Sequence, residues 1–255
     1  MRPYIIPLLM SLSFLTGCSF LDDQSTNTEG WSVSKFYTEA KRTLDDKDYQ
    51  GAIDLYEQML ARYPFGVYAQ QAQIDLIYAY YRFDEGASSL ASADRFIKVY
   101  PQHPHIDYVY YIKGLVNFNE GKDLISYYLP QDPTQRDPGA ARQSFEDFAV
   151  LLRKFPKSKY AKDARQRMIF LRNNLAAYEI HVANYYINRN AYIAAANRGK
   201  YVVENYQHTP SVPDALGVMV TAYRKLGLDD LAQDALRVLK HNYPEHPLAK
   251  GIASK

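Results

Sequence analysis

The stretch SVSKFYTEAKRTLDDKDYQGAIDLYEQMLARYP, residues 32–64, decides the fold. Its apolar residues recur with a helical period: Val33, Phe36, Tyr37, Ala40 and Leu44 stand at i, i+3, i+4, i+7 and i+11, which places them on one face of an amphipathic helix. Ser32 precedes that stripe as an N-cap, a position where a hydroxyl oxygen accepts from an otherwise unpaired N–H of the first turn. A turn is predicted at Asp48-Tyr49-Gln50-Gly51, followed by a second stripe through Ala52, Ile53, Tyr56, Leu60 and Tyr63. Pro64 ends it, because proline has no N–H to continue the ladder and its ring clashes with the preceding turn. Two short amphipathic helices joined this way cannot bury both faces alone, so the unit demands neighbours of its own kind.

Those neighbours are in the chain. Aromatic–proline stops recur at Tyr63-Pro64, Tyr100-Pro101, Phe155-Pro156 and Tyr243-Pro244, and Tyr206 takes the same place ahead of Pro210. Tyr63 to Tyr100 and Tyr206 to Tyr243 are each 37 residues, while the two middle intervals are 55 and 51. A spacing near 37 resembles the tetratricopeptide period of about 34, and Ala52, Tyr56 and Pro64 resemble that repeat's small, aromatic and proline positions. The reading is an all-α solenoid of five tetratricopeptide-like helix pairs, two of them enlarged. In the first enlargement Pro130, Pro133, Pro138 and Gly139 predict a loop over 126–139 between the helices of the third pair. In the second, residues 158–190 lack proline and glycine, which is compatible with one long helix or with two stacked ones.

The N-terminus carries a different signal. Arg2, an apolar run from Tyr4 to Leu15 and the sequence Leu15-Thr16-Gly17-Cys18 form an export leader ending at the chain's single cysteine. A Leu-small-small-Cys ending resembles the lipobox of bacterial lipoproteins, in which the thiol is acylated and becomes the first mature residue; the alternative is an ordinary secretory leader with an incidental thiol. Residues 19–30 are polar after Phe20-Leu21 and contain only acidic charges, as a tether would, with a reach of about 20 Å. The expected organisation is a signal peptide over 1–17, lipidated cysteine and tether over 18–31, N-terminal repeats over 32–140 and C-terminal repeats over 141–255.

Charge and motif content exclude several classes. Thirty basic residues against 28 acidic give a net charge of +2, which provides no drive toward nucleic acid. There is no HExxH, no G-x-S-x-G elbow, no glycine-rich phosphate loop and no cysteine pair, so neither an enzyme nor a metal protein is expected. His103 and His105 share a turn without an acidic or cysteine partner at ligand spacing, as a solvated turn would. The 24 tyrosines are the conspicuous excess; they pack helices or form aromatic grooves, since tyrosine buries its ring while its hydroxyl stays wet.

Four features have two readings each. Asp75 and Asp107 are placed at the starts of first helices, where they either complement the macrodipole or line a concave peptide surface with Tyr68, Tyr78, Tyr108 and Tyr111. Arg136 in Arg136-Asp137-Pro138 is either half of an exposed turn ion pair or a bidentate grip on a carboxylate. The run Ala194-Ala195-Ala196-Asn197-Arg198-Gly199 permits close helix packing, and Arg198 rising from it suits an interface anchor.

The strings RYPFGVYAQQAQIDLIYAYYRF, DRFIKVYPQHPHIDYVYYIKGL, RDPGAARQSFEDF and FPKSKYAKDARQRMIFLRNNLAAYE, leading into VANYYINRNAYIAAANR, resemble the BamD (ComL/YfiO) family of outer-membrane lipoproteins over nearly the whole mature chain. The resemblance implies a non-enzymatic scaffold on the periplasmic face of the outer membrane, held by S-diacylglycerol and N-acyl groups on Cys18. It implies as partners the POTRA region of BamA, the accessory lipoprotein BamC and unfolded outer-membrane proteins. By position it nominates Tyr63, Phe65, Tyr68, Asp75, Tyr78, Asp107, Tyr108, Tyr111 and Arg136 for the substrate groove, and Arg198 for contact with BamA. A peptidoglycan-associated or competence lipoprotein is the rival reading.

Overall fold

A computed structural model of the chain describes residues 28–120 and 137–251. Among the described residues there are ten helices and no strand: α1 Val33–Asp45, α2 Tyr49–Arg62, α3 Val67–Arg82, α4 Gly86–Val99, α5 Ile106–Asn119, α6 Gly139–Lys154, α7 Ala161–Asn188, α8 Tyr192–Asn205, α9 Val212–Lys225 and α10 Asp229–Asn242. Consecutive helices pack as antiparallel hairpins, and the first helices of successive pairs also touch, α1 with α3, α3 with α5 and α7 with α9. This is the expected all-α solenoid of five pairs.

One internal spacing builds every pair. Each second helix places a buried small residue seven positions before a fully buried large one: Ala52 and Met59, Ser89 and Phe96, Ser144 and Leu151, Ala195 and Val202, Ala232 and Leu239. Seven residues are two turns, so both face the first helix. The small residue lets the backbones approach and the large one fills the wider end. Ser89 Oγ donates to the Ile77 carbonyl and Ser144 Oγ to that of Gly114, each at 2.9 Å, which satisfies buried hydroxyls across the hairpin. Four residues beyond each large side chain stands the aromatic stop, whose N–H closes the last turn on the large residue's carbonyl, from Tyr63 on Met59 (2.7 Å) to Tyr243 on Leu239 (2.8 Å). The aromatic residue of each stop is thus the C-cap of its second helix.

The local signals place most ends correctly. Ser32 caps α1 by accepting from the Lys35 N–H. The first turn, expected at 48–51, ends earlier: Asp48 is itself the N-cap of α2, accepting from the Gly51 N–H at 3.0 Å, and Tyr49–Gly51 are helical. Of the expected 126–139 loop, the part up to residue 136 lies outside the described residues. In the described part, Asp137 accepts from the Gly139 N–H (3.0 Å) and α6 begins at Gly139.

The long interval over 158–190 is one helix of 28 residues, α7. Its first half packs with α5 and α6 through Ala164 and Leu171, and its second half packs with α8 and α9 through Ala176, Ile180 and Ala183. One continuous element therefore joins the core of the third pair to those of the fourth and fifth. The hairpin of α5 and α6 closes tightly at Gly114, where an added Cβ would lie 2.4 Å from Phe148 Cε1. Small residues do the same at the C-terminal end. A Cβ on Gly199 would stand 2.8 Å from the Ala215 carbonyl oxygen, and Ala195 and Ala196 are buried beside it, so the alanine run does serve close packing of α8 on α9.

Candidate functional site

The first helices carry an aromatic strip along the solenoid. Tyrosines three apart on α3 (Tyr78, Tyr81) and α5 (Tyr108, Tyr111) lie on one face of each helix, since three residues make nearly a full turn. Tyr111 stacks on Tyr160 of the α6–α7 turn at 4.7 Å and 15°, and Tyr108 packs against the same ring at 5.3 Å. The strip continues through Phe118 against Phe170 of α7 (5.7 Å), with the Arg167 guanidinium 4.7 Å over the Phe118 ring. Toward α1, Tyr37 packs on Tyr68 at 5.5 Å.

Carboxylates are set into this strip, and each is engaged from within. Asp75 is the ninth residue of α3, in mid-helix rather than at its start, so the macrodipole reading does not apply to it. It accepts from Tyr37 Oη (3.0 Å), Tyr56 Oη (3.2 Å) and Gln71 Nε2 (3.1 Å). Burial nevertheless lifts its carboxyl above the ordinary range, outweighing those hydrogen bonds. Asp107 is in the first turn of α5, where it receives the Ser158 hydroxyl at 2.6 Å and so fastens the α6–α7 turn to α5. Asp163 receives Tyr111 Oη and Arg167 Nε, both at 2.6 Å; burial works to raise its carboxyl, but the Arg167 and Tyr111 contacts hold it below the usual range. Burial pushes Tyr111 up to about 12, helped by Asp163. Tyr108 is raised too, by burial and by its neighbours Tyr160, Tyr78 and Asp75. These phenols stay protonated donors at neutral pH.

Of the sequence-predicted residues, Asp75, Tyr78, Tyr108 and Tyr111 come together on α3 and α5. Tyr78 receives Arg82 Nη1 at 2.8 Å. Tyr63, Phe65 and Tyr68 stand at the α2–α3 end. Tyr63 is tied down, its hydroxyl donating to the Trp31 carbonyl at 2.8 Å. Phe65 is 83% exposed beside Val67 at 82%, a solvent-facing apolar tip on the turn that Gly66 makes with φ of 99°. Arg136 lies outside the described residues, as does Cys18. Among the described residues no group of three or more metal-ligating side chains occurs. His103 Nδ1 accepts the His105 N–H at 3.1 Å, consistent with a turn. No helix among them is long and apolar enough to cross a membrane.

Arg198 of α8 sits apart from the strip. Its Nη1 donates to Glu179 Oε2 of α7 at 2.7 Å, and Arg142 Nη2 of α6 donates to the other oxygen at 3.2 Å. Glu179 is 1% exposed, whereas the two arginine side chains are 48% and 41% exposed. One buried carboxylate thus orients two half-exposed guanidiniums, leaving a cationic excess and free N–H donors at the surface. Sequence reasoning missed Glu179, although its signal was readable: it stands on the buried stripe of Leu175, Ala176, Ile180 and Ala183, where an unpaired carboxylate would be costly. Tyr160, Asp163 and Arg167 were missed for a different reason, since only the tertiary approach of α7 to α5 joins them to the tyrosines.

A family model described as outer membrane lipoprotein, YfiO, matches residues 30–239. The outer membrane protein assembly factor BamD of Neisseria meningitidis serogroup B (strain ATCC BAA-335 / MC58) is 42% identical over 245 residues, 96% of this chain and 92% of that protein. The Vibrio cholerae protein of the same name is 36% identical over 234 residues, 92% of this chain and 96% of its own. A solved Podosopora anserina kinesin light chain with nearly identical TPR-like repeats covers 84% of this chain and 95% of its own at 13% identity, with a TM-score of 0.37.

Proposed function

We propose, because the chain belongs to the YfiO family of outer membrane lipoproteins, that its solenoid works as a non-enzymatic scaffold anchored to the periplasmic face of the outer membrane. Its role is in outer-membrane protein assembly, as a member of the Bam complex promoting the folding and insertion of β-barrel proteins. The observation that carries this is the 42% identity to a BamD protein over 245 residues, 96% of the chain.

The finer reading assigns a task to each part. Cys18 carries S-diacylglycerol and an N-acyl chain, two signals that together hold a protein on a bilayer where one would exchange. The aromatic strip with the Phe65 tip takes an extended segment of an unfolded outer-membrane protein. Tyrosine faces fit its alternate apolar side chains, and phenol hydroxyls and arginine fit its backbone and terminal carboxylate. Arg198, aimed by Glu179, docks on the POTRA region of BamA, and BamC lies along the body. No nucleic acid, metal or other cofactor enters this scheme.

Site-specific photo-crosslinking in intact cells tests it. A probe at Tyr68, which is 44% exposed, is expected to capture nascent β-barrel proteins, and one at Arg198 to capture BamA. Recovery of glycan fragments from both positions, with neither protein, would replace assembly by the cell-wall reading.

A further inference from the structure

The charge of this chain is unevenly placed. Residues 153–167 contain Arg153, Lys154, Lys157, Lys159, Lys162, Arg165 and Arg167 against the single acid Asp163, although the whole chain is only +2; the remainder is net acidic. Arg167 pairs with Asp163. The other six are exposed, and among the described residues none of them is within ion-pair distance of a carboxylate. Several bases elsewhere are paired locally, as in Lys41 with Asp45, Lys200 with Glu204 and Lys250 with Glu245, and no other stretch of this length gathers as many basic residues. The facing element contributes one carboxylate, Asp107, which receives the Ser158 hydroxyl. Between the α4–α5 and α6–α7 turns lies a cavity of about 610 Å³ with an apolar floor of Pro101, Pro104, Ile106 and Phe155, and Lys154 and Lys157 on its rim.

Position in the fold says what this surface meets. The chain enters the solenoid at Thr28–Trp31, held against the end of α2 by Arg62 Nη1 on the Thr28 carbonyl (2.7 Å) and Tyr63 Oη on that of Trp31. In an antiparallel array the α2–α3, α4–α5 and α6–α7 turns all lie along that same edge. Thr28 stands ten positions after Cys18, a reach of about 35 Å when fully extended. We propose that the basic α6–α7 turn is a membrane-facing surface. Arg153, Lys154, Lys157, Lys159, Lys162 and Arg165 engage the anionic headgroups of the bilayer that holds the Cys18 lipid, and so orient the solenoid on that bilayer. This rests on the anchored reading above. Clustered lysines and arginines at a bilayer gain from its negative surface potential within a Debye length, and their aliphatic stems suit the apolar floor of the cavity.

The test uses the mature chain with Cys18→Ser, which has no lipid, in co-sedimentation with vesicles of phosphatidylethanolamine and phosphatidylglycerol or of phosphatidylcholine alone. Binding to the anionic vesicles only, weakened by salt, is expected. The triple variant Lys157→Gln, Lys159→Gln, Lys162→Gln should lower it on the order of a hundredfold, roughly fivefold for each lysine. The control Lys41→Gln, Lys200→Gln, Lys250→Gln removes as many charges from ion pairs and should leave binding within about twofold. Circular dichroism checks that both variants keep their helices. Equal binding of the turn variant and the wild type, equal binding to both vesicle types, or no binding to either overturns the proposal. Failure here leaves the anchor intact, because the protein tested has none; conversely, absence of acylation on Cys18 in cells would remove the anchor without changing vesicle binding.

Discussion

Arg198 donates to a Glu179 carboxylate that is almost wholly buried, and it shares that carboxylate with Arg142. An ion pair with one member inside is asymmetric: removing a cation strands the charge, whereas neutralising both sides costs little. Arg198→Ala is expected to destabilise by about 1–2 kcal/mol while Arg142 remains, and the Arg142→Ala/Arg198→Ala pair by about 3–5 kcal/mol, more than its parts sum to. Adding Glu179→Gln should restore much of the loss. Urea denaturation of the three variants reads this directly. For docking, Arg198→Gln with Glu179→Gln is the informative combination, since Arg198→Glu would set a second carboxylate against the first and unsettle α7 and α8 irrespective of any partner.

Phe65 and Tyr111 should separate binding from folding. Phe65 is 83% exposed, so Phe65→Ser should change stability by less than about 0.5 kcal/mol. If the tip grips substrate, affinity for a synthetic C-terminal β-strand peptide with an aromatic end, measured by fluorescence anisotropy, falls on the order of tenfold. Tyr111→Ala removes the stack on Tyr160 and the bond to Asp163, and should cost about 2–4 kcal/mol in the fold. Unchanged peptide affinity for Phe65→Ser would remove that residue from the groove.

Two aspartates should respond to pH with opposite signs. Asp75 is raised by burial, so its favourable contribution is fully present below the ordinary carboxylate range and is lost as pH climbs from about 4 through its folded value. Asp163 is lowered against its burial by Arg167 and Tyr111. Its contribution is present above about 4 and is lost as pH falls through its folded value. Unfolding free energies across acid pH, referenced to Asp75→Asn and Asp163→Asn, should therefore diverge in opposite directions. Parallel curves would contradict the assignment.

Gly199→Ala is the sharpest packing test, because the added Cβ would stand 2.8 Å from a backbone carbonyl that cannot rotate aside. A cost of about 1–3 kcal/mol is expected, seen as a fall of several degrees in the thermal midpoint. Gly114→Ala meets the Phe148 ring instead, and Gly114→Ala with Phe148→Leu should recover part of its loss.

Most of the architecture is a local matter and was legible residue by residue. A helical stripe, a Ser32 cap and a proline stop act over one or two turns, so Val33–Arg62 could be recognised as a hairpin from the order of its residues alone, and its recurrence implied the solenoid. The groove was half legible for the same reason: Tyr78, Tyr108 and Tyr111 stand at helical spacings on first helices. What no local rule contains is the setting of one helix against another. Residues 158–190 could have been one helix or two, and only the placing of Ala164 and Leu171 in one core and of Ala176 and Ile180 in another made a single continuous element the way to bury both. Tyr111 meets Asp163 across 52 residues, Ser158 meets Asp107 across 51, and Arg142 from α6 and Arg198 from α8 converge on Glu179. Sequence determined which faces had to be buried; burial of those faces against particular neighbours, a long-range and cooperative matter, decided which charges would be paired inside and which tyrosines and lysines would face outward.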